Sequence, residues 1–335
     1  MIAKTTEPTE RRPMGDTGLS ISRLGIGGGS LFCRSGDDGS QVILDACWDA
    51  GLRLFDTAPY YGRGESEARF GRALQRRPRA EYVMSTKVGH YPTLEGPPRE
   101  GAGAYDPKNY DYTAARTRES LERSIELMGI GAIDVVMIHD LVEEFLSYDF
   151  ERRIEEAMTG AYPTLVKMKE EGKIKAIGVA VKDWNVCLRL AKMASFDCFL
   201  LAADYNFLRN DSLTEFLPYC ERHNIPIMIG APFCMGILAT GAVPNARYFF
   251  YKEIPPEIIE KTRRIEAICA RHKVPLPAAS LQFPLFHPAV ANVLVGLQST
   301  TELEQNLAYM RQHIPTDFWA DLKEQKIIPE NAPTP

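Results

Sequence analysis

The 335-residue chain carries seven cysteines, but none stands in a CxxC pair and none clusters with histidine at metal-ligand spacing. That pattern gives neither a zinc knuckle nor a disulfide framework, and it points to a reducing compartment. Long hydrophobic runs are missing too: no stretch stays apolar for the length that a bilayer span requires. The opening MIAKTTEPTERRP is polar, without the apolar segment of a secretory signal. Excess positive charge is also absent. With a formal net charge of -5, general attraction to nucleic acid or to an anionic membrane is a poor expectation. No Gly-, Ser- or Pro-rich linker divides the chain. These absences predict a soluble cytoplasmic protein with one domain over 11–330, a loose segment over 1–10 and a small molecule as its partner. They leave the oligomeric state open.

What is present is alternation. Apolar runs of strand length recur at RLGIGG (23–28), LRLFD (52–56), YVMSTK (82–87), IDVVMIH (133–139), IKAIGVA (174–180), CFLLAA (198–203), IPIMIG (225–230) and VANVLVG (290–296). Between them lie segments with helical spacing, such as SEARFGRALQ and TAARTRESLERSIELMG, most of them ending in Gly, Asn or a basic residue as helix ends prefer. Strand then helix, repeated about eight times, predicts a closed parallel (β/α)8 TIM barrel. An open Rossmann-like sheet is the weaker expectation, because GIGGGS (25–30) lacks the GxGxxG spacing and no helix follows it directly. RRPMGDTGLSISRLG predicts an N-terminal β-hairpin turning at Asp16 to Gly18, placed to plug the barrel's bottom. Three connections, 89–112, 140–162 and 231–256, are too long for plain strand-to-helix turns. Each is a candidate wall or lid at the face where barrel active sites sit.

Asp56 ends the second run, Tyr61 lies in the loop after it, Lys87 ends the third run and His139 the fourth. Each alone has an ordinary explanation as a turn residue, a solvated cation or a packing cap. Four titratable types at consecutive strand ends of one face are a stronger signal. A phenol titrates near pH ~10 in water and is a poor base at neutrality unless a cation stabilises its anion. Lys87 is placed to be that cation. Asp56 then holds the ammonium by a charge-assisted bond, while His139 orients a substrate oxygen and shares its proton.

FDTAPYYG, MSTK and MIHD, in that order on successive strand ends, resemble the aldo-keto reductase family, and the resemblance covers nearly the whole chain. It implies a catalytic tetrad of Asp56, Tyr61, Lys87 and His139 serving a nicotinamide cofactor, with no metal. Tyr61 is chosen over Tyr60 because it precedes Gly62, as the family pattern requires. The family's usual Ser-Asn pair, Gln and Tyr around the nicotinamide are replaced here by Ala180 and Val181, Ala202 and Gly230. The resemblance therefore shifts cofactor contacts to Gly28 and Gly29, to Asp204 and Asn206, and to Ala231, Pro232, Phe233, Gly236 and Leu238 after the seventh strand. VGLQSTTELEQN resembles the family's adenosine-phosphate loop and helix, which brings in Gly296, Gln298, Ser299, Glu302, Gln305 and Asn306. Glu302 and Gln298 stand where NADP-preferring relatives carry basic residues. A carboxylate beside a phosphate is repelled, so NAD is the expected cofactor, with NADP as the alternative.

Within the family, GVAVKDWNV, APFCMGILATG and RRIEAICARHKVPLPAASLQFPLFHPAV are similar to the aldose 1-dehydrogenases, with the pyridoxal and L-galactose dehydrogenases as near relatives. That branch implies oxidation of a cyclic hemiacetal to a lactone. Cys234 and Met235 replace polar residues of the branch, which favours pyridoxal or an aromatic aldehyde as the alternative substrate. His90, Tyr91, Tyr105, Trp184, Tyr205 and Cys234 are candidate substrate contacts. A cofactor-binding regulatory subunit is the non-enzymatic alternative.

Overall fold

Strand β1 (Arg11–Pro13) pairs antiparallel with β2 (Ser20–Ser22), forming the hairpin expected from RRPMGDTGLSIS. The eight apolar runs follow as β3 (Leu24–Gly27), β4 (Leu54–Asp56), β5 (Val83–Val88), β6 (Val135–His139), β7 (Ala176–Val181), β8 (Cys198–Ala202), β9 (Ile227–Gly230) and β10 (Val290–Gly296). They close in the order β10-β3-β4-β5-β6-β7-β8-β9, every pair parallel. The computed structural model of the chain describes residues 6–31, 36–92, 107–248 and 253–335.

Continuous apolar runs suit this closure because each barrel strand is covered on both faces. The outer faces meet the helices in one large core. The inner faces form a second cluster, in which Leu54, Val83, Val135, Met137 and Cys198 pack with Met14, Leu19 and Ile21 of the hairpin. The hairpin therefore stoppers the bottom of the barrel, and the strands' C-terminal ends stay open for a site. Of the segment 1–10 expected to be loose, residues 1–5 lie outside the described residues. Over 6–10, Glu7 pairs with Arg311 at 2.9 Å, and the Pro8 and Glu10 carbonyls accept from Leu24 and Arg23 at 3.0 and 2.9 Å.

Helices Asp37–Asp49, Glu65–Leu74, Ala114–Met128, Tyr162–Glu170, Trp184–Met193, Phe216–Arg222, Pro256–His272 and Thr300–Arg311 fill the expected connections, with Leu276–Gln282 and Thr316–Glu324 besides. The long 140–162 connection is mostly helix: Phe150–Glu156 runs through a π-helical turn, Ala157–Ala161, into Tyr162–Glu170. The turn has a local cause. A side chain at Gly160 would sit 2.6 Å from the Tyr112 carbonyl, so glycine lets the two backbones touch there. Most of the 89–112 connection, Tyr105 included, lies outside the described residues.

Candidate active site

Asp56 ends β4, Lys87 is the penultimate residue of β5 and His139 ends β6. Parallel strands of a barrel finish at one mouth, so the three side chains meet without a loop having to carry them. Tyr61 arrives from the turn after β4, where Gly62 and Arg63 take left-handed backbone angles, φ 61° and 59°.

Lys87 holds this group together. Its Nζ donates to Asp56 Oδ2 at 2.6 Å and to the Thr57 carbonyl at 2.7 Å, which leaves one N–H on the side of Tyr61. An ammonium has three donors, so with two committed the third is available to the phenol. The Nζ lies 4.8 Å from the centre of the Tyr61 ring. Asp56 is fixed in turn, its Oδ1 accepting from Ser85 Oγ at 2.8 Å. Lys87 is 1% exposed and Asp56 4%. A pair this dry is sustained only because its polar atoms are partnered, and removing one member would strand the other.

Burial penalises the Lys87 ammonium, but Asp56 and Tyr61 outweigh it and its pKa is raised. The cation is therefore present throughout the neutral range. Tyr61 behaves otherwise than the sequence suggests. Withdrawal from water raises its pKa, Lys87 lowers it by charge and hydrogen bond, and Asp56 and Asp140 raise it, for a net rise above 10.0. At neutral pH Tyr61 rests as a phenol, ready to give a proton.

His139 lies edge-on to Tyr61, with ring centroids 5.9 Å apart and planes at 88°. Burial pushes its imidazole down to about 3, against the pull of Asp140 and with help from Lys87 and His90. A ring that is neutral above that range keeps a single N–H with which to orient an oxygen. Its carbonyl accepts from Tyr112 Oη at 2.7 Å, and its Nδ1 is buried with no hydrogen-bond partner among the described residues.

Behind His139 stand His90, which the sequence offered only as a substrate contact, and Asp140, which it did not single out. Asp140 Oδ2 lies 2.9 Å from His90 Nδ1 and 3.4 Å from His139 Nε2. The His90 ring is stacked between Tyr60, at 3.8 Å, and Tyr110, at 4.2 Å. Tyr60 thus has a place of its own in FDTAPYYG, as the slab under His90. The signal available in the sequence was an acid directly after His139 and a histidine three residues after Lys87. One donor atom from each of His90, His139 and Asp140 lies within 4.8 Å of the others, and the hydrogen bond inside the trio accounts for that convergence.

The other expected contacts divide. Gly29 lies against the Tyr61 ring, a side chain there meeting it at 3.8 Å, so the turn after β3 borders the site. Gly28 is packed toward Ser66 and Phe70 of the helix Glu65–Leu74 instead. Gly296, at the end of β10, is exposed. Ser299 caps the helix Thr300–Arg311 by accepting from Glu302 N at 3.1 Å, and the Glu302 carboxylate accepts from Gln298 N at 2.8 Å. Gln305 is exposed and Asn306 is 6% exposed. Asp204 is buried; its Oδ1 accepts from Tyr205 N, and Arg209 stands 3.4 Å from its Oδ2. Asn206 Oδ1 accepts from Leu208 N and Arg209 N, which shapes the loop after β8.

Ala231, Phe233 and Gly236 are partly exposed after β9, whereas Pro232 and Leu238 are buried. Cys234 is 0% exposed, with burial pushing its thiol up to about 12, so the wall of this loop is Met235, 44% exposed. Tyr205 is 0% exposed and packs on Phe283 and His287. Tyr91 is 5% exposed and its hydroxyl accepts from Gly89 N, while Trp184 starts its helix half-buried.

Comparisons with known proteins agree with this architecture. The chain is 36% identical over 326 residues to D-threo-aldose 1-dehydrogenase of a Pseudomonas species, covering 93% of this chain and 96% of the relative. It is 33% identical over 341 residues to pyridoxal 4-dehydrogenase of Microbacterium luteolum, covering 96% and 98%. An aldo-keto reductase from Bacillus halodurans, solved in its holo form, superposes with a TM-score of 0.75 at 22% identity, covering 95% of this chain and 96% of that one, and shares the fold. The pattern of the Aldo/keto reductase family matches residues 23–327, from the threshold of the first barrel strand to beyond the last. On that extent of agreement, the chain belongs to the aldo/keto reductase family.

Proposed function

We propose that the protein oxidises the cyclic hemiacetal of an aldose at its anomeric carbon, giving a lactone, with NAD as hydride acceptor. The observation that carries this reading is a phenol beside a buried cation: the Lys87 ammonium, anchored by Asp56 at 2.6 Å, lies 4.8 Å from the centre of the Tyr61 ring. The two sugar and pyridoxal dehydrogenase relatives supply the substrate class.

The residues at the mouth fit a dinucleotide. Gly296 offers bare backbone there, and a buried Ser30 Oγ, without a hydrogen-bond partner among the described residues, is a donor to spare beside it. Ser299 begins a helix whose first N–H groups suit an anion. Glu302 points its carboxylate at the same turn, which favours NAD over NADP. When bound, the nicotinamide supplies the hydride acceptor or donor. Lys87 holds the phenol, His139 directs the substrate oxygen toward it, and Tyr61 exchanges the hydroxyl proton. Because Tyr61 rests protonated, reduction finds its proton donor ready. Oxidation must first lose that proton, so its rate rises with pH toward the raised Tyr61 pKa.

A second reading, oxidation of pyridoxal or reduction of an aromatic aldehyde, is favoured by the Tyr60–His90–Tyr110 stack and the exposed Met235. The test is the purified protein with NAD or NADP and a panel of aldoses, pyridoxal and simple aldehydes, followed by NADH or NADPH absorbance. Turnover of an aldose with NAD is the expected result. Cofactor binding without turnover across the panel would favour a regulatory subunit. Tyr61→Phe is expected to lose roughly 10²- to 10⁴-fold in kcat while cofactor affinity stays put. A variant with full rate would refute the assignment of Tyr61.

A further inference from the structure

We propose that Asp140, clamped by His90, is a positioning residue that keeps the proton of His139 on Nε2. This deepens the reading above and rests on it only for the kinetic part of its test.

The backbone itself is bent to place this carboxylate. Asp140 takes φ +53°, a left-handed conformation that an L-residue adopts at a cost of about 1 kcal/mol or more. Its amide donates to the Ala180 carbonyl at 2.9 Å, which holds the turn. The strain serves a contact, since the carboxylate Oδ2 comes back to within 3.4 Å of His139 Nε2. That separation gives electrostatic attraction but is too long for a full hydrogen bond. The attraction therefore favours a proton on Nε2 without closing a hydrogen bond, and a substrate oxygen beside Tyr61 can accept from that N–H.

The choice of tautomer follows from what each nitrogen faces. His139 Nδ1 is buried without a partner among the described residues. A proton there would be a stranded donor, and the lone pair on Nε2 would then face an anion. A proton on Nε2 faces the anion directly and leaves only an unpaired acceptor at Nδ1, which is the cheaper defect. Asp140 is an anion at neutral pH: burial opposes ionisation, but His139, His90 and Lys87 together lower its pKa.

His90 fixes the carboxylate. It faces Oδ2 with Nδ1 at 2.9 Å, and stacking on Tyr60 and Tyr110 prevents its ring from turning away. The charged and titratable groups around Tyr61 and His139 are Asp56 from β4, Lys87 and His90 from β5 and its sequel, and Asp140 after β6. Lys87 and Asp140 each act on both, and of the two it is Asp140 that raises the Tyr61 pKa and attracts the His139 N–H.

The test has two independent arms. In the first, ¹⁵N–¹H correlation spectra of histidine-labelled protein report the tautomer without any turnover. The six histidines give few signals, and His139→Gln identifies the one of interest. The expected result is the Nε2–H form in the native protein and a loss of that preference in Asp140→Asn. A native Nδ1–H form, or an unchanged signal in Asp140→Asn, would overturn the proposal even if the enzyme reading stood.

The second arm uses kinetics. Asp140→Asn is expected to lower kcat by roughly tenfold with KM nearly unchanged. It also removes a charge that raises the Tyr61 pKa, so the pH limb assigned to Tyr61 moves to lower pH. His90→Phe, which keeps the stack but not the donor, should lose part of kcat, and His90→Asn, which keeps an N–H near the Nδ1 position, should restore it. Loss of rate in all three variants with no movement of the limb would show a merely structural role and refute the proposal. Absence of turnover in the native protein would instead defeat the enzyme reading, and the spectra would still decide the tautomer.

Discussion

The mouth of the barrel is built on two plans. From β4 to β6 it is dense with charged and aromatic side chains: Asp56, Tyr61, Lys87, His90, His139 and Asp140, four of the six no more than 5% exposed. From β7 to β9 the positions facing the same opening are Ala180, Ala202 and Gly230, and the loop beyond β9 turns Cys234 inward. The first half fixes the geometry of a proton with buried, partnered charges. The second presents small residues and backbone, which suits the flat face of a cofactor more than it selects one. Substitutions should therefore be severe on the first side and mild on the second.

Lys87→Met is the largest expected break. It removes the cation beside Tyr61 and strands Asp56 in a dry site, so activity should fall below detection and unfolding free energy should drop by about 3–5 kcal/mol. Adding Asp56→Asn to the same chain removes the stranded charge and should restore much of the stability but none of the activity. Urea unfolding of the two variants checks this. Equal midpoints for both would mean that the Asp56–Lys87 pair is not the buried charge that organises this side.

How much of this could be read beforehand divides along the same line. The barrel, the plugging hairpin and the convergence of Asp56, Tyr61, Lys87 and His139 were legible because apolar periodicity fixes strands and parallel strands fix which ends meet. Asp140 was not, because its approach to His139 depends on a left-handed backbone angle that no periodicity encodes. The state of Tyr61 was misjudged for a related reason. Lys87 beside a phenol reads as acidifying, but the balance turns on burial and on a second carboxylate, both properties of the assembled site. Tyr205 and Cys234 are buried, and that burial was not legible because a residue type says nothing about which side of a loop it faces.

A second break concerns pH. His139 is held neutral down to about 3 in the folded protein, against 6.5 for a free imidazole. Between those values the unfolded chain binds the proton and the folded one does not, so stability is complete above 6.5 and falls as pH drops toward 3. His139→Gln removes that contribution. Urea unfolding at a series of pH values should show the native protein losing stability faster than the variant, by up to about 2 kcal/mol between pH 6.5 and about pH 5. Parallel curves would mean that the imidazole is less withdrawn from water than its surroundings indicate.

The smallest expected effect belongs to the cofactor side and sharpens the contrast. Glu302 accepts from Gln298 N at 2.8 Å while its own N–H is capped by Ser299 Oγ at 3.1 Å, a reciprocal arrangement that uses up donors at the helix start. Glu302→Gln keeps the size and most of the hydrogen bonding but removes the charge. If the 2'-phosphate of NADP lies against this turn, the change relieves about 1 kcal/mol of repulsion, or roughly fivefold in Kd, for the phosphorylated cofactor alone. Fluorescence titrations of NADH and NADPH against both proteins measure the ratio directly, and helix capping should lose only about 0.5 kcal/mol of stability. An unchanged ratio would place the ribose elsewhere and remove the reason for expecting NAD, while leaving the proton machinery across the mouth untouched.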